Sequence, residues 1–266
     1  MQRAPSVFYS ISVPGRPPNP TDMTALLRLF ALALLTLSLR PAVAQGGFVD
    51  EPPPVDGDAL GIWYMYFFQK RFGEGPWGIQ GDYQLRQWNV PGGDLEQLLL
   101  RTGVTYTPEN VAGTFTLGYA SITTGQYDSD FDGTVHENRI YQEALLPHRL
   151  ANRILLTHRF RYEQRFNEGQ DFRTRFRYNL FVNVPFNGDG GLGEGVWYGA
   201  FYNEIFVNGE RDIGDGRSVQ FFDRNRTYLA LGYGVTPKLR LQAGWMRQTT
   251  VDWAKNQLQI SAHHTW

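Results

Sequence analysis

The chain has 266 residues, 25 Lys and Arg against 26 Asp and Glu, 15% aromatic residues, 29 Gly and no Cys. Without cysteine there is no disulfide framework, no thiolate metal site and no Cys nucleophile. A formal net charge of −1 gives no basic footprint for a nucleic-acid partner. The abundance of Tyr, Trp and Phe at low charged content suits a boundary between apolar and polar media.

Residues 1–22 are Pro-rich and patternless and read as an untranslated leader, with Met23 as the start. From Met23 the text becomes "MTALLRLFALALLTLSLRPAVAQ". Arg28 supplies a positive start, Leu29–Leu39 an apolar core of about eleven residues, and Ala42-Val43-Ala44 the small–x–small close of a signal-peptidase site. That core is well short of the roughly 20 residues a spanning helix needs. Residues 23–44 are therefore expected to be a cleaved export signal. Removing the four basic residues and one acid of residues 1–44 leaves 21 basic and 25 acidic residues, a net of −4. Residues 45–60, opening "QGGFVDEPPPVDGD", read as a disordered lead-in.

From Gly61 to Trp266, segments of about ten residues or more alternate in polarity between turn-forming stretches. In chain order they are Gly61–Phe72, Trp77–Asn89, Glu96–Thr107, Gly113–Thr123, Glu137–Leu146 and Arg153–Phe166, then Phe172–Phe186, Gly195–Asn208, Asp223–Val235, Lys238–Thr249 and Asn256–Trp266. Helical spacing is absent. The pattern predicts an all-β fold, an antiparallel up-and-down transmembrane β-barrel over residues 61–266. Eleven segments conflict with the even strand numbers of bacterial single-chain barrels. Twelve strands are therefore expected, the missing one around Ser218–Phe222, with ten as the alternative. The turns Gly73–Pro76, Thr107–Asn110 and Thr236–Lys238 are tight, whereas Gly125–His136 and Gly209–Phe222 are long, so the tight turns mark a periplasmic rim.

Polarity within each segment predicts which face meets which medium. In "RILLTHRFRYEQRF", Arg159, Arg161, Glu163 and Arg165 share one face and Phe160, Tyr162 and Phe166 the other, broken by His158 and Gln164. In "FRTRFRYNLFVNV", Arg173, Arg175, Arg177, Asn179 and Asn183 oppose Phe176, Tyr178, Leu180, Val182 and Val184. Glu137, Arg139, Tyr141 and Glu143 share a face, and Arg101 lies opposite Leu98 and Leu100. A lipid-facing Arg at mid-bilayer costs about 2–4 kcal/mol. The expected polar lining of the lumen is thus Arg101, Arg139, Glu143, Arg159, Arg161, Glu163, Arg165, Arg173, Arg175, Arg177, Glu204 and Arg226. It is either a narrow, porin-like, anion-leaning passage or a structural filling of a small barrel. A soluble sandwich would turn the same faces the other way.

The last segment, "NQLQISAHHTW", places Leu258, Ile260, Ala262, His264 and Trp266 on one face. Leu258, Ile260, Ala262 and Trp266 resemble the C-terminal signal that outer-membrane barrels present to their assembly machinery, with Trp in place of the usual Phe and His264 at an apolar position. The phrases "WYMYFFQKRFGEGPWGIQGDYQLRQW", "GDLEQLLLRTGVTYTP", "ENRIYQEALLP", "RTRFRYNLFVNVP" and "FDRNRTYLALGYG" together resemble the bacterial family called domain of unknown function 2490. That resemblance implies an outer-membrane barrel of a Gram-negative bacterium, in contact with outer-membrane lipid, and brings no catalytic residues with it.

Other sites read blandly. "DSDFDG" (Asp128–Gly133) opens like a calcium loop, but its twelfth position is Arg139 and no helices flank it, so it reads as a solvated acidic loop. Ser261 and His263 share a face with Cβ atoms roughly 7 Å apart, loose for a nucleophile–base pair, and Ser121 has no base. His263 and His264 point to opposite faces, which disfavours joint metal binding. No enzymatic activity, metal or cofactor is expected; a membrane-embedded lipid-modifying enzyme and a periplasmic ligand-binding β-protein are the alternatives.

Overall fold

The computed structural model describes residues 55–90, 92–125, 127, 133–150 and 153–266. The leader, the export signal, most of the lead-in and residues 128–132 of the acidic loop lie outside the described residues.

Eleven strands follow one another: β1 (Gly61–Arg71), β2 (Trp77–Gln87), β3 (Leu95–Tyr106), β4 (Thr114–Gly125), β5 (Thr134–Leu150), β6 (Ile154–Asn167), β7 (Arg173–Pro185), β8 (Trp197–Asn208), β9 (Phe222–Gly234), β10 (Leu239–Thr249) and β11 (Ala254–Thr265). Each pairs antiparallel with its sequence neighbour, and the sheet closes on itself. No helix among the described residues is long and apolar enough to cross a membrane, which leaves crossing by strands open.

The expected twelfth strand is not there. An up-and-down meander with an odd number of strands begins and ends in the same direction, and here β1 and β11 pair parallel, from Gly61 with Gln257 to Gln69 with Thr265. Parallel pairing is slightly weaker per residue than antiparallel, but it removes both free edges. Residues 218–221 lie in the 209–221 loop, whose only ladder contact is the isolated bridge between Asp212 and Ser218.

The parallel seam sends the two ends of the barrel to opposite rims. One rim carries the start of β1 and the connections 88–94, 126–133, 168–172, 209–221 and 250–253. The other carries Trp266 and the connections 72–76, 107–113, 151–153, 186–196 and 235–238. The difference in loop length is smaller than the sequence suggested, because 186–196 is itself eleven residues against thirteen for 209–221.

Side chains pack inward at both rims. At the Trp266 rim the 186–196 connection folds inward, packing buried Leu192 against Tyr198 and Ala200, with Leu155 and Ala230 around them. At the Gly61 rim the Lys255 ammonium donates to the carbonyls of Asp56 (2.9 Å) and Ala59 (2.7 Å). It also lies over the rings of Trp88 and Tyr127, which meet edge to face at 5.2 Å.

Inward positions also include two glycines whose role is close approach. Gly118 pairs across the ladder with Tyr141 and Gly232 with Tyr198. A Cβ at either glycine would collide with the tyrosine ring lying over it. Small residues beside large ones let rings lie flat against the wall and fill a narrow interior.

Candidate functional site

The interior is built by strand alternation. On β5 to β7 the inward rows meet as Arg139 with Arg165, Tyr141 with Glu163 and Glu143 with Arg161, then Arg165 with Arg173, Glu163 with Arg175 and Arg161 with Arg177. Like charges directly opposite are destabilising, so the glutamates determine whether this arrangement holds. Glu163, 1% exposed, accepts from Arg175 Nε (2.9 Å) and Nη2 (2.7 Å) and from Arg177 Nη1 (2.6 Å). Arg139 and Arg161 stand 3.6 and 3.9 Å from the same carboxylate, so four guanidinium groups surround it.

The other carboxylates repeat this sharing. Glu137 accepts from Arg139 (2.6 Å to each oxygen) and from Arg165. Glu143 takes Arg161 (2.7 Å) and the Gln80 amide (2.8 Å). Glu204 accepts from Arg159 (2.7 Å) and twice from Arg177 (2.9 and 2.6 Å). Asp223 joins Arg175 (2.7 Å) to Arg224 (3.0 Å). Asp82 holds Arg101 through contacts of 2.6–3.1 Å. Charge-assisted, bidentate contacts of this kind are the strong class of hydrogen bond, and the planar fork of Arg suits them.

All twelve residues named from the sequence thus lie on the inward face. Nine of them join one connected network on β5 to β8, and Arg173 lies beside it, opposite Arg165 on the ladder. Arg101 instead pairs with Asp82, and Arg226 hydrogen-bonds Gln248 (2.7 Å) on β10. Sequence reasoning missed Asp82, Arg86 and Glu96. The first two were legible in "GIQGDYQLRQ", where Gln80, Asp82, Gln84 and Arg86 alternate with Ile79, Tyr83 and Leu85. Glu96 was not, because the ladder slips between Arg86 and Gln87 and the inward phase changes beside it. Its carboxylate accepts from the indole of Trp63 at 2.7 Å.

The opposite face is apolar and exposed. Phe160, Phe176, Leu117 and Leu229 are 49%, 50%, 61% and 64% exposed. Together with Val104, Tyr106 and Phe115, the first three line a groove of about 970 Å³ on the outer wall. Ile260 on β11 and Trp266 just past its end are exposed, and Leu258 and Ala262 share the outward face of Ile260. His264, the residue at odds with an apolar C-terminal pattern, accepts from Trp266 Nε1 (2.5 Å) and sits 2.9 Å from the Tyr66 hydroxyl, so its polar nitrogen is satisfied by aromatic neighbours.

The Ser261–His263 spacing needs correction. Ser261 Oγ and His263 Nε2 are 3.1 Å apart, because the two side chains lean toward one another, and His263 stacks on Phe67 at 4.7 Å. Among the described residues no carboxylate hydrogen-bonds the imidazole. Both side chains point into the barrel, away from the outward apolar surface. Ser121 lies on the outward face of β4, paired with Asn138.

Fold and interior together define a class: a closed β-barrel turned inside out relative to a soluble protein, with a hydrogen-bonded Arg/Glu core and an apolar wall. The chain belongs to the family described as protein of unknown function (DUF2490), whose sequence profile matches residues 60–259. Comparison with curated proteins and with solved structures found no match.

Proposed function

We propose that the chain is an outer-membrane β-barrel whose polar interior is a structural core rather than an open pore. The observation that carries this reading is the reversal of burial. Glu163, Arg175, Arg177, Asn179 and Gln259 are as inaccessible as an ordinary dry core, while aromatic and aliphatic side chains all round the wall stand about half exposed. Contiguous apolar surface on this scale is not tolerated in water by a soluble monomer. Hydrocarbon is the medium that suits it, with aromatic residues such as Trp77, Tyr106, Trp197 and Trp266 at one edge of the band.

A conducting lumen would leave its lining accessible to water, and these guanidinium groups are not. Inward packing at both rims favours the same reading. The reading includes export by the signal in residues 23–44 and recognition of Leu258, Ile260, Ala262 and Trp266 by the outer-membrane assembly machinery. Lipid hydrolysis is disfavoured because Ser261 and His263 face inward, away from any lipid.

A second reading, a narrow anion-leaning passage, is favoured by one observation. Among the described residues, buried side chains include ten cations but six carboxylates. Planar-bilayer recording separates the two. A structural core gives no steady conductance above the lipid baseline; a stable, anion-selective current that changes when Arg159, Arg161 or Arg175 is replaced by Gln would overturn it in favour of the passage.

A further inference from the structure

The excess of buried positive charge is not spread evenly. Most interior arginines have a carboxylate within ion-pair distance, but among the described residues Arg86, Arg173 and Arg226 do not, and of these Arg86 and Arg226 both pack on Trp63. The Arg86 guanidinium lies 3.7 Å from the indole centroid and spends its hydrogens on the amide oxygens of Gln84 (2.6 and 3.1 Å) and Gln97 (2.8 Å). It is satisfied. Arg226 is different. Its guanidinium lies 4.8 Å from Trp63 and 4.8 Å from Phe206, and only Nε is engaged, donating to Gln248 Oε1 at 2.7 Å.

The residue is 6% exposed, and among the described residues no hydrogen bond holds Nη1 or Nη2; Glu204, its partner across the β8–β9 ladder, is turned to Arg159 and Arg177 instead. Neither terminal nitrogen is a fully buried atom without a partner, so this edge retains some solvent access. The surroundings add to the positive field, since Arg175, Arg177 and Arg224 also lie within 4.5–6.0 Å of the Phe206 ring. Two aromatic rings and one amide fix the plane of the fork, so its open edge is held ready rather than mobile.

We infer that the Nη1/Nη2 edge of Arg226 is a binding site for a small oxyanion, a phosphate, sulfate or carboxylate group taken bidentately, inside the Gly61 rim of the barrel. The site lies shallow in the interior. Trp63 is the third residue of β1 and Arg226 the fifth of β9, both counted from that rim. The fork matches two adjacent oxygens, which a halide does not offer. This goes beyond the structural-core reading and needs no membrane: an interior can hold an anion whether or not it conducts and whichever medium surrounds the wall.

Equilibrium dialysis tests it, with the chain folded in detergent micelles, labelled inorganic phosphate as the probe and sodium chloride as background. Saturable binding of one phosphate per chain is expected, at least tenfold weaker in R226Q, and unchanged in R211Q, whose arginine is an exposed loop residue bonded to the Val219 carbonyl. Where R226Q fails to fold, R226M removes the charge without leaving a buried amide and carries the same comparison. Absence of saturable binding by the wild type, or equal affinity in the Arg226 variant that folds, overturns the inference. Conductance plays no part in this measurement, so its outcome is independent of the bilayer recording.

Discussion

Replacing Glu163 by Gln tests how far the interior depends on shared carboxylates. Gln keeps the shape and one acceptor oxygen but removes the charge, and its amide nitrogen points donors at Arg175 or Arg177, which can only donate. Arg175 retains Asp223 and Arg177 retains Glu204, whereas the 3.6 and 3.9 Å compensation of Arg139 and Arg161 is lost. Removing one partner of a buried ion pair costs about 3–5 kcal/mol; Arg139 and Arg161 keep Glu137 and Glu143, so no guanidinium is orphaned, but the cluster is left with one buried negative charge fewer. For a domain of this size that corresponds to a fall of roughly 6–20 °C in unfolding midpoint. The assay is equilibrium urea unfolding of the barrel folded in detergent, followed by tryptophan emission. The double variant E163Q/R175M removes charge of both signs, so its loss is expected to be smaller than the sum of the single losses by about 0.5–3 kcal/mol. An E163Q chain within about 0.5 kcal/mol of wild type would refute the reasoning, since it would place those guanidinium groups in water.

On the outer wall, Leu229→Arg places a charge at the middle of β9 and is expected to cost about 2–4 kcal/mol in lipid vesicles, against at most about 0.5 kcal/mol if that face were in water. At the Gly61 rim, Thr174 donates to the Glu210 carboxylate from its hydroxyl (2.6 Å) and backbone (2.5 Å), holding the carboxyl below its ordinary 4.5. The anchoring is therefore complete above pH 4.5 and lost as pH falls through the lower folded value; hydrogen exchange of the 209–221 loop should differ between wild type and E210Q at pH 7 and coincide in strong acid. The parallel seam predicts that D58C and K238C, exposed at opposite rims of a chain with no native cysteine, react with an impermeant maleimide from opposite sides of the membrane. Labelling of both from one side would contradict it.

Much of the barrel was legible because a strand with two different media on its faces writes a period of two into the sequence. Arg173, Arg175 and Arg177 against Phe176 and Tyr178 is such a text, and the eleven segments correspond one for one with the eleven strands. What could not be read was closure. Pairing between β1 and β11 joins residues some 196 positions apart in chain order, and nothing local in "GIWYMYFFQ" distinguishes a parallel seam from an antiparallel one. The site was legible where alternation is strict and lost where it slips, as at Glu96. Which arginine shares which carboxylate depends on side chains reaching across the interior, as Arg159 does from β6 to Glu204 on β8. The lean that brings Ser261 and His263 together is likewise a matter of rotamers, not of spacing.

The central claim is that the greasy wall meets hydrocarbon while the guanidinium groups point to the axis. Nitroxide labels at F176C and L229C, with the chain reconstituted in vesicles, address it directly through collision rates with oxygen and with a water-soluble nickel chelate. Both labels are expected to meet oxygen readily and nickel hardly at all; labels that nickel reaches as freely as it reaches one at exposed Asp58 would contradict the account.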